Sequence, residues 1–263
     1  MSVDACAELV RRGDPDRFRT ALTAPMPARA DLMVIYAFAG EVARAPWVTS
    51  EPLIAEMRLQ WWVDAVDEIF DATPRRHEVV DALSDVVARH DLPRDLLQRM
   101  ISARRADAYG EAFADADALD GYLRDTSAGP MEAAARVLGA GTGKDGDALG
   151  AAIPVVQEFA FAAGAAAFVR ALPSLRAAEW TPIADTAMLR ALLARAGSAL
   201  RRARQRRKQV PGACLPALLA GWRVDGTLKV AGRNPEAAFA TPAESSEFAT
   251  RTGLFLRHAT GRW

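Results

Sequence analysis

ALGAAIPVVQEFAFAAGAAAFVRAL, Ala148 to Leu172, is the stretch on which the fold turns. It is long enough on paper to cross a bilayer, which takes about 20 apolar residues. Gln157 and Glu158 fall in its middle. A charge at the bilayer centre costs at least about 2.5 kcal/mol on insertion scales, and small alanines outnumber leucines along the stretch. The reading is therefore a buried core helix and no transmembrane span. A helix this apolar needs other helices around it.

The rest of the chain supplies them. Alanine, leucine and arginine dominate, which favours helix, and short alternating β-branched runs are nearly absent. Asp14 before Pro15 reads as an N-cap with proline at the first helical position. The pattern predicts helices over Asp16–Ala24, Ala28–Val42 and from Glu51-Pro52 to Phe70, with Pro46 breaking the chain between the last two. Leu53, Ile54, Met57 and Trp61 mark the inner face of the third. Further helices are expected over Glu78–His90, Arg94–Ala108, Asp117–Leu138, Asp185–Arg207, Ala213–Val230 and Glu244–His258. Gly139–Asp147 reads as a loop, Pro173–Pro182 as a connection and Ala231–Pro242 as a linker. With no repeat period and no shift in composition, the expectation is all-α: one domain over residues 1–263, a bundle of roughly ten helices.

Composition narrows the function classes. Basic and acidic residues balance at 33 each, so no nucleic-acid partner is expected. Cys6 and Cys214 are lone thiols without a CxxC, which fits a reducing cytoplasm. The N-terminal segment is not a signal peptide, because Asp4 and Glu8 interrupt it. GTGKDG, Gly141 to Gly146, lacks the spacing of a phosphate loop. His77, His90 and His258 read as surface or C-capping residues at helix ends rather than metal ligands.

Three stretches carry possible chemistry. In RLQWWVDAVDEIF, Arg58 to Phe70, Asp64 and Glu68 stand one turn apart, as weak candidates for Mg²⁺ binding or as a solvated acidic face. ARRAD, Ala103 to Asp107, sets Arg104 and Asp107 within one turn, as an ion pair or an anion contact. In LRRARQRRKQVP, Arg201, Arg202, Arg204, Arg206, Arg207 and Lys208 crowd a helix C-terminus. There they complement the dipole or meet an anionic membrane or a protein.

The order of YAF (Tyr36–Phe38), RLQWW (Arg58–Trp62), ARRAD, Tyr122 with TSAG (Thr126–Gly129) and FVRALP (Phe168–Pro173) resembles the squalene/phytoene synthase family. The resemblance runs from about residue 17 to 219 and leaves 231–263 as a C-terminal linker and helix. It implies the all-α isoprenoid synthase fold. It also implies a cavity to which Tyr36, Glu41, Arg58, Trp61, Asp64, Arg104, Asp107, Tyr122, Gly129 and Arg170 are candidate contributors. Family enzymes join two prenyl diphosphates head to head, holding them through Mg²⁺ on two aspartate-rich helices. Here the acid positions of the first motif, YAFCRxxDDxxD, match Ala43, Arg44 and Trp47. In the second, QLTNILRDxxxD, the glutamine, asparagine and first aspartate match Gly164, Ala167 and Ala171. Only Arg170 remains.

The chain is also similar to a divergent branch that includes the mitochondrial complex I assembly factor with a phytoene-synthase-like domain. The expectation is therefore a non-catalytic binding or assembly module, with no cofactor and with Mg²⁺ only if catalysis persists. It would be cytoplasmic, peripheral at the inner membrane face. The alternatives are a Mg²⁺-dependent prenyltransferase with a rebuilt site and an isoprenoid or lipid carrier.

Overall fold

The computed structural model describes residues 2–139, 146–242 and 247–263. Among them the fold is all-α, with no strand. The chain runs through α1 (Ser2–Gly13), α2 (Pro15–Ala21), α3 (Met26–Arg44) and α4 (Pro52–Phe70). Then come α5 (Glu78–His90), α6 (Arg94–Ser102), α7 (Arg105–Tyr109), α8 (Ala116–Leu123) and α9 (Gly129–Gly139). The second half holds α10 (Gly146–Ala177), α11 (Thr186–Gln205), α12 (Leu215–Leu219), α13 (Val224–Arg233) and α14 (Glu247–Thr260).

Helix α10 is the core helix its composition demands. Phe159, Phe161, Ala162, Ala165 and Val169 are at most 1% exposed. By length and hydropathy its Ala148–Ala177 portion passes for a membrane span, yet 72% of its most apolar window is buried inside the bundle. It packs against α9, α11 and α13. Helix α3 is its counterpart in the N-terminal half, with an unbroken buried run from Asp31 to Ala39 against α1, α5 and α9.

Several boundaries differ from the sequence pattern, each for a local reason. The first helix, α1, was not anticipated. Its Cys6 and Val10 are buried, and it lies against α3 and α5. The expected Arg94–Ala108 helix stops at Ser102, and α7 ends at Gly110 in the left-handed region (φ 63°). The break turns Arg104 inward to meet Asp107 and Tyr122. Asp117–Leu138 is nearly continuous, but Arg124–Ala128 is π-helical. Helix α10 runs past Pro173 to Ala177. Ala213–Val230 divides into α12 and α13. Of the Gly139–Asp147 loop, residues 140–145, most of GTGKDG, lie outside the described residues, and α10 already begins at Gly146.

Helix α4 departs most. Its buried face is Ala55, Leu59, Trp62, Ala65, Val66 and Ile69. The stripe taken for the inner face, Leu53, Ile54, Met57 and Trp61, lies on the outside, the first three exposed and Trp61 half-buried. The helix has two apolar faces at helical spacing, and periodicity does not say which one the bundle covers.

Candidate functional site

Where α3, α10 and the π-helical segment meet, a cavity of about 100 Å³ remains. Tyr36 lines it from α3, Ser127 from the π segment, and Gly164, Ala167 and Arg170 from α10. Asp14, Asp16 and Arg17 come from the start of α2, and Arg223 from the turn before α13.

Charge in the cavity is mostly self-compensated. Asp14 caps α2 by accepting from the Arg17 backbone N–H at 2.9 Å, and its other oxygen lies 3.5 Å from the Arg17 guanidinium. Asp16 accepts from Arg223 at 2.7 Å and from Arg19 at 3.2 Å. Tyr36 is 3% exposed, and its hydroxyl has no partner among the described residues. Burial pushes its pKa up to about 12, against the opposing pull of Arg17. The Arg17 guanidinium stands over the Tyr36 ring, 5.6 Å from its centroid.

This donor set does not suit Mg²⁺, which takes carboxylates and phosphate oxygens in an octahedron. From α10 the cavity receives Gly164 and Ala167, which bring no side-chain oxygen. The two carboxylates present are occupied by arginines. Among the described residues no three His, Cys, Asp or Glu side chains gather in a way that fits a metal ion.

The profile of the squalene/phytoene synthases matches residues 10–180. The chain belongs to the squalene/phytoene synthase family. Its fold is shared with a dehydrosqualene synthase crystallised with ligand, at TM-score 0.80 and 11% identity over 98% of this chain and 96% of that one. It is shared with the squalene synthase HpnC from Alicyclobacillus acidocaldarius, at TM-score 0.71 and 15% identity over 92% of this chain and 95% of that one. Among curated proteins the chain is similar to NADH dehydrogenase (ubiquinone) complex I, assembly factor 6. The Bos taurus protein is 28% identical over 134 residues, 51% of this chain and 40% of its own length. The Drosophila melanogaster homologue is 30% identical over 127 residues, 46% of this chain and 38% of its own. The matched region thus spans well under half the length of these relatives.

The sequence-predicted site residues separate into distinct places. Tyr36 and Arg170 share the cavity. Arg104, Asp107 and Tyr122 form a buried triad elsewhere. The Tyr122 hydroxyl donates to Asp107 at 2.7 Å and accepts from Arg104 at 2.9 Å, and Arg104 reaches Asp107 at 3.0 Å. Burial raises the Tyr122 pKa further than that of Tyr36. Phe113, Phe168 and Trp180 pack around the triad's ring. Gly129 serves packing, since a Cβ there would meet the Met100 Cγ at 2.6 Å.

Glu41, Arg58 and Trp61 line a separate surface groove of about 470 Å³ with Ile54, Met57 and His77. Asp64 is exposed and bonded to Gln60, while Glu68 is held by Arg75 at 2.6 Å. In the basic run, Arg202 pairs with Glu158, Arg204 with Asp225, and Arg201 and Arg206 with Ser198 and Gln209. Arg207 and Lys208 stay exposed beside another surface pocket.

Sequence reasoning missed the polar half of the cavity. Asp14 was read only as a cap, and Asp16, Arg17 and Arg223 were not singled out. Only the three-dimensional approach of α2 to the α12–α13 turn unites them. The histidines also shift role. His77 caps the N-terminus of α5 and packs edge to face with Trp61 and Trp62, and His90 bonds the buried Asp31 at 2.7 Å.

Proposed function

We propose that this chain is a non-catalytic member of the squalene/phytoene synthase family, working as a binding module in the assembly of other proteins. The observation that carries the reading is the cavity. Sites for drug-sized ligands enclose about 300–1,000 Å³, against about 100 Å³ here. The cavity is smaller than a site for a drug-sized ligand, and its two carboxylates, Asp14 and Asp16, are engaged by arginines. Without metal, the charge of a departing diphosphate is uncompensated, and that compensation is the main catalytic contribution in such chemistry. The similarity to complex I assembly factor 6 supports an assembly role. In this reading the protein acts in the cytoplasm, and Arg207 and Lys208 offer a secondary contact for an anionic membrane surface.

The test is direct. The purified, folded protein is incubated with farnesyl or geranylgeranyl diphosphate and Mg²⁺, with and without NADPH, and products are read by mass spectrometry. The expected result matches the protein-free control. Coupled C30 or C40 product overturns the reading. Native mass spectrometry of fresh protein separates it from a carrier role, for which a co-purified prenyl lipid is the signature.

A further inference from the structure

The outer face of α4 is built like a contact surface, although the fold does not use it. Leu53 and Met57, one turn apart, are 73% and 65% exposed, and Ile54 beside them is 47% exposed. Trp47 and Val48, from the turn just before α4, are also exposed. Isolated apolar side chains on a surface are ordinary, whereas a contiguous patch marks an interaction site. Here the patch leads into the 470 Å³ groove at the end of α3. The groove floor is stiff: Trp61, Trp62 and His77 pack edge to face with centroids 5.0–5.4 Å apart, and Arg75 lies 4.8 Å over the Trp61 ring. A fixed Trp floor with Met at the rim and an arginine beside it matches the composition of binding hot spots.

Charge selects the occupant. The acids and bases around the groove are largely matched inside the protein: Glu41 with Arg44, Glu56 with Arg105, Glu68 with Arg75. Arg58 is not matched in this way. It lines the groove and has no ion-pair or hydrogen-bond partner among the described residues. We infer that this groove docks an amphipathic helix of a partner protein, with bulky apolar residues one turn apart and a carboxylate placed to meet Arg58.

An anionic bilayer fits less well. The site is concave, and the same face of α4 turns acidic further along, at Asp64 and Glu68. A second copy also fits poorly, because a two-fold contact centred on the groove would bring Arg58 near its own symmetry mate. The inference deepens the binding-module reading and rests on it.

The probe is a phage-displayed library of amphipathic helices. Their apolar positions are randomised, and the flanking position is fixed as either Glu or Lys. Selection on the whole protein is expected to enrich the Glu set. Synthetic peptides from those clones should lose at least about tenfold in affinity to Met57→Asp. Arg58→Glu should shift enrichment toward the Lys set. Both positions are exposed, so the variants fold, which circular dichroism verifies. Failure to enrich, or binding that ignores Met57→Asp, overturns the inference. So does self-association, or binding to phosphatidylglycerol vesicles, that Met57→Asp abolishes. Prenyl product in the coupling assay would instead remove the reading of the cavity and leave a positive helix selection standing.

Discussion

Two buried tyrosines show how differently this protein treats its interior. Tyr122 is held on both sides, donating to Asp107 and accepting from Arg104. Tyr36 is as deeply buried, lies near Asp14 and Arg17, and leaves its hydroxyl without a partner among the described residues. An unmade buried hydrogen bond carries a desolvation cost of about 1–3 kcal/mol. The triad around Tyr122 is therefore a structural joint, fixing the α6–α7 break to α8. The cavity around Tyr36 is a place where packing and polar matching stop short. Placement in one fold does not give the two phenols the same role.

The sharpest way to break this comparison is Asp107→Ala. The Asp107 side chain is 1% exposed, and its loss leaves the half-buried Arg104 without its carboxylate. The expected destabilisation is about 3–5 kcal/mol, read by urea unfolding. A change under 1 kcal/mol would mean that water replaces Asp107 and that the triad is no joint.

Alkaline titration probes both tyrosines. Burial raises each pKa above its unfolded value of 10.0. Each phenol therefore contributes stability that is complete below pH 10 and is lost as pH rises through the folded value. For Tyr36 that window runs from 10.0 to about 12. Unfolding free energy should fall there by about 1 kcal/mol per pH unit per phenol, and Tyr36→Phe should flatten the slope. A profile flat from pH 10 to 12 would contradict burial of both rings. Tyr122→Phe removes the hydroxyl and leaves Asp107 and Arg104 one bond short each, for an expected loss of about 1–3 kcal/mol. Tyr36→Phe at neutral pH is the smallest effect: within about 0.5 kcal/mol of zero, or stabilising, since no partner is orphaned. A loss above 1 kcal/mol would reveal a hydrogen bond to that hydroxyl.

Much of the fold was legible in the sequence, and the reason is length. The Ala148–Leu172 run, the Glu51-Pro52 start and the Glu78–His90 segment each carry enough periodicity or capping to fix a helix by themselves. What was not legible depends on contacts distant in sequence. Leu53, Ile54, Met57 and Trp61 have the spacing of a core face, yet the Leu59–Trp62–Val66 face is the one covered. Nothing within α4 distinguishes two apolar stripes of similar strength. The candidate site divides the same way. Tyr36 and Arg170 line one cavity. The cavity's acids and Arg223 come from segments 207 residues apart, and Glu41 and Arg58 belong to the outer groove instead.

Gly164 carries a consequence for any redesign of the cavity. The π-helical segment lies directly against it: a Cβ built there would lie 2.3 Å from the Ser127 Cβ. A contact that short demands movement of a backbone-anchored atom, and interiors resist such shifts. A side chain at position 164 is thus sterically barred until Ser127 or the π segment moves. The two segments can be reshaped only together, and an engineer wishing to place a polar group in this cavity from Gly164 would have to begin at Ser127.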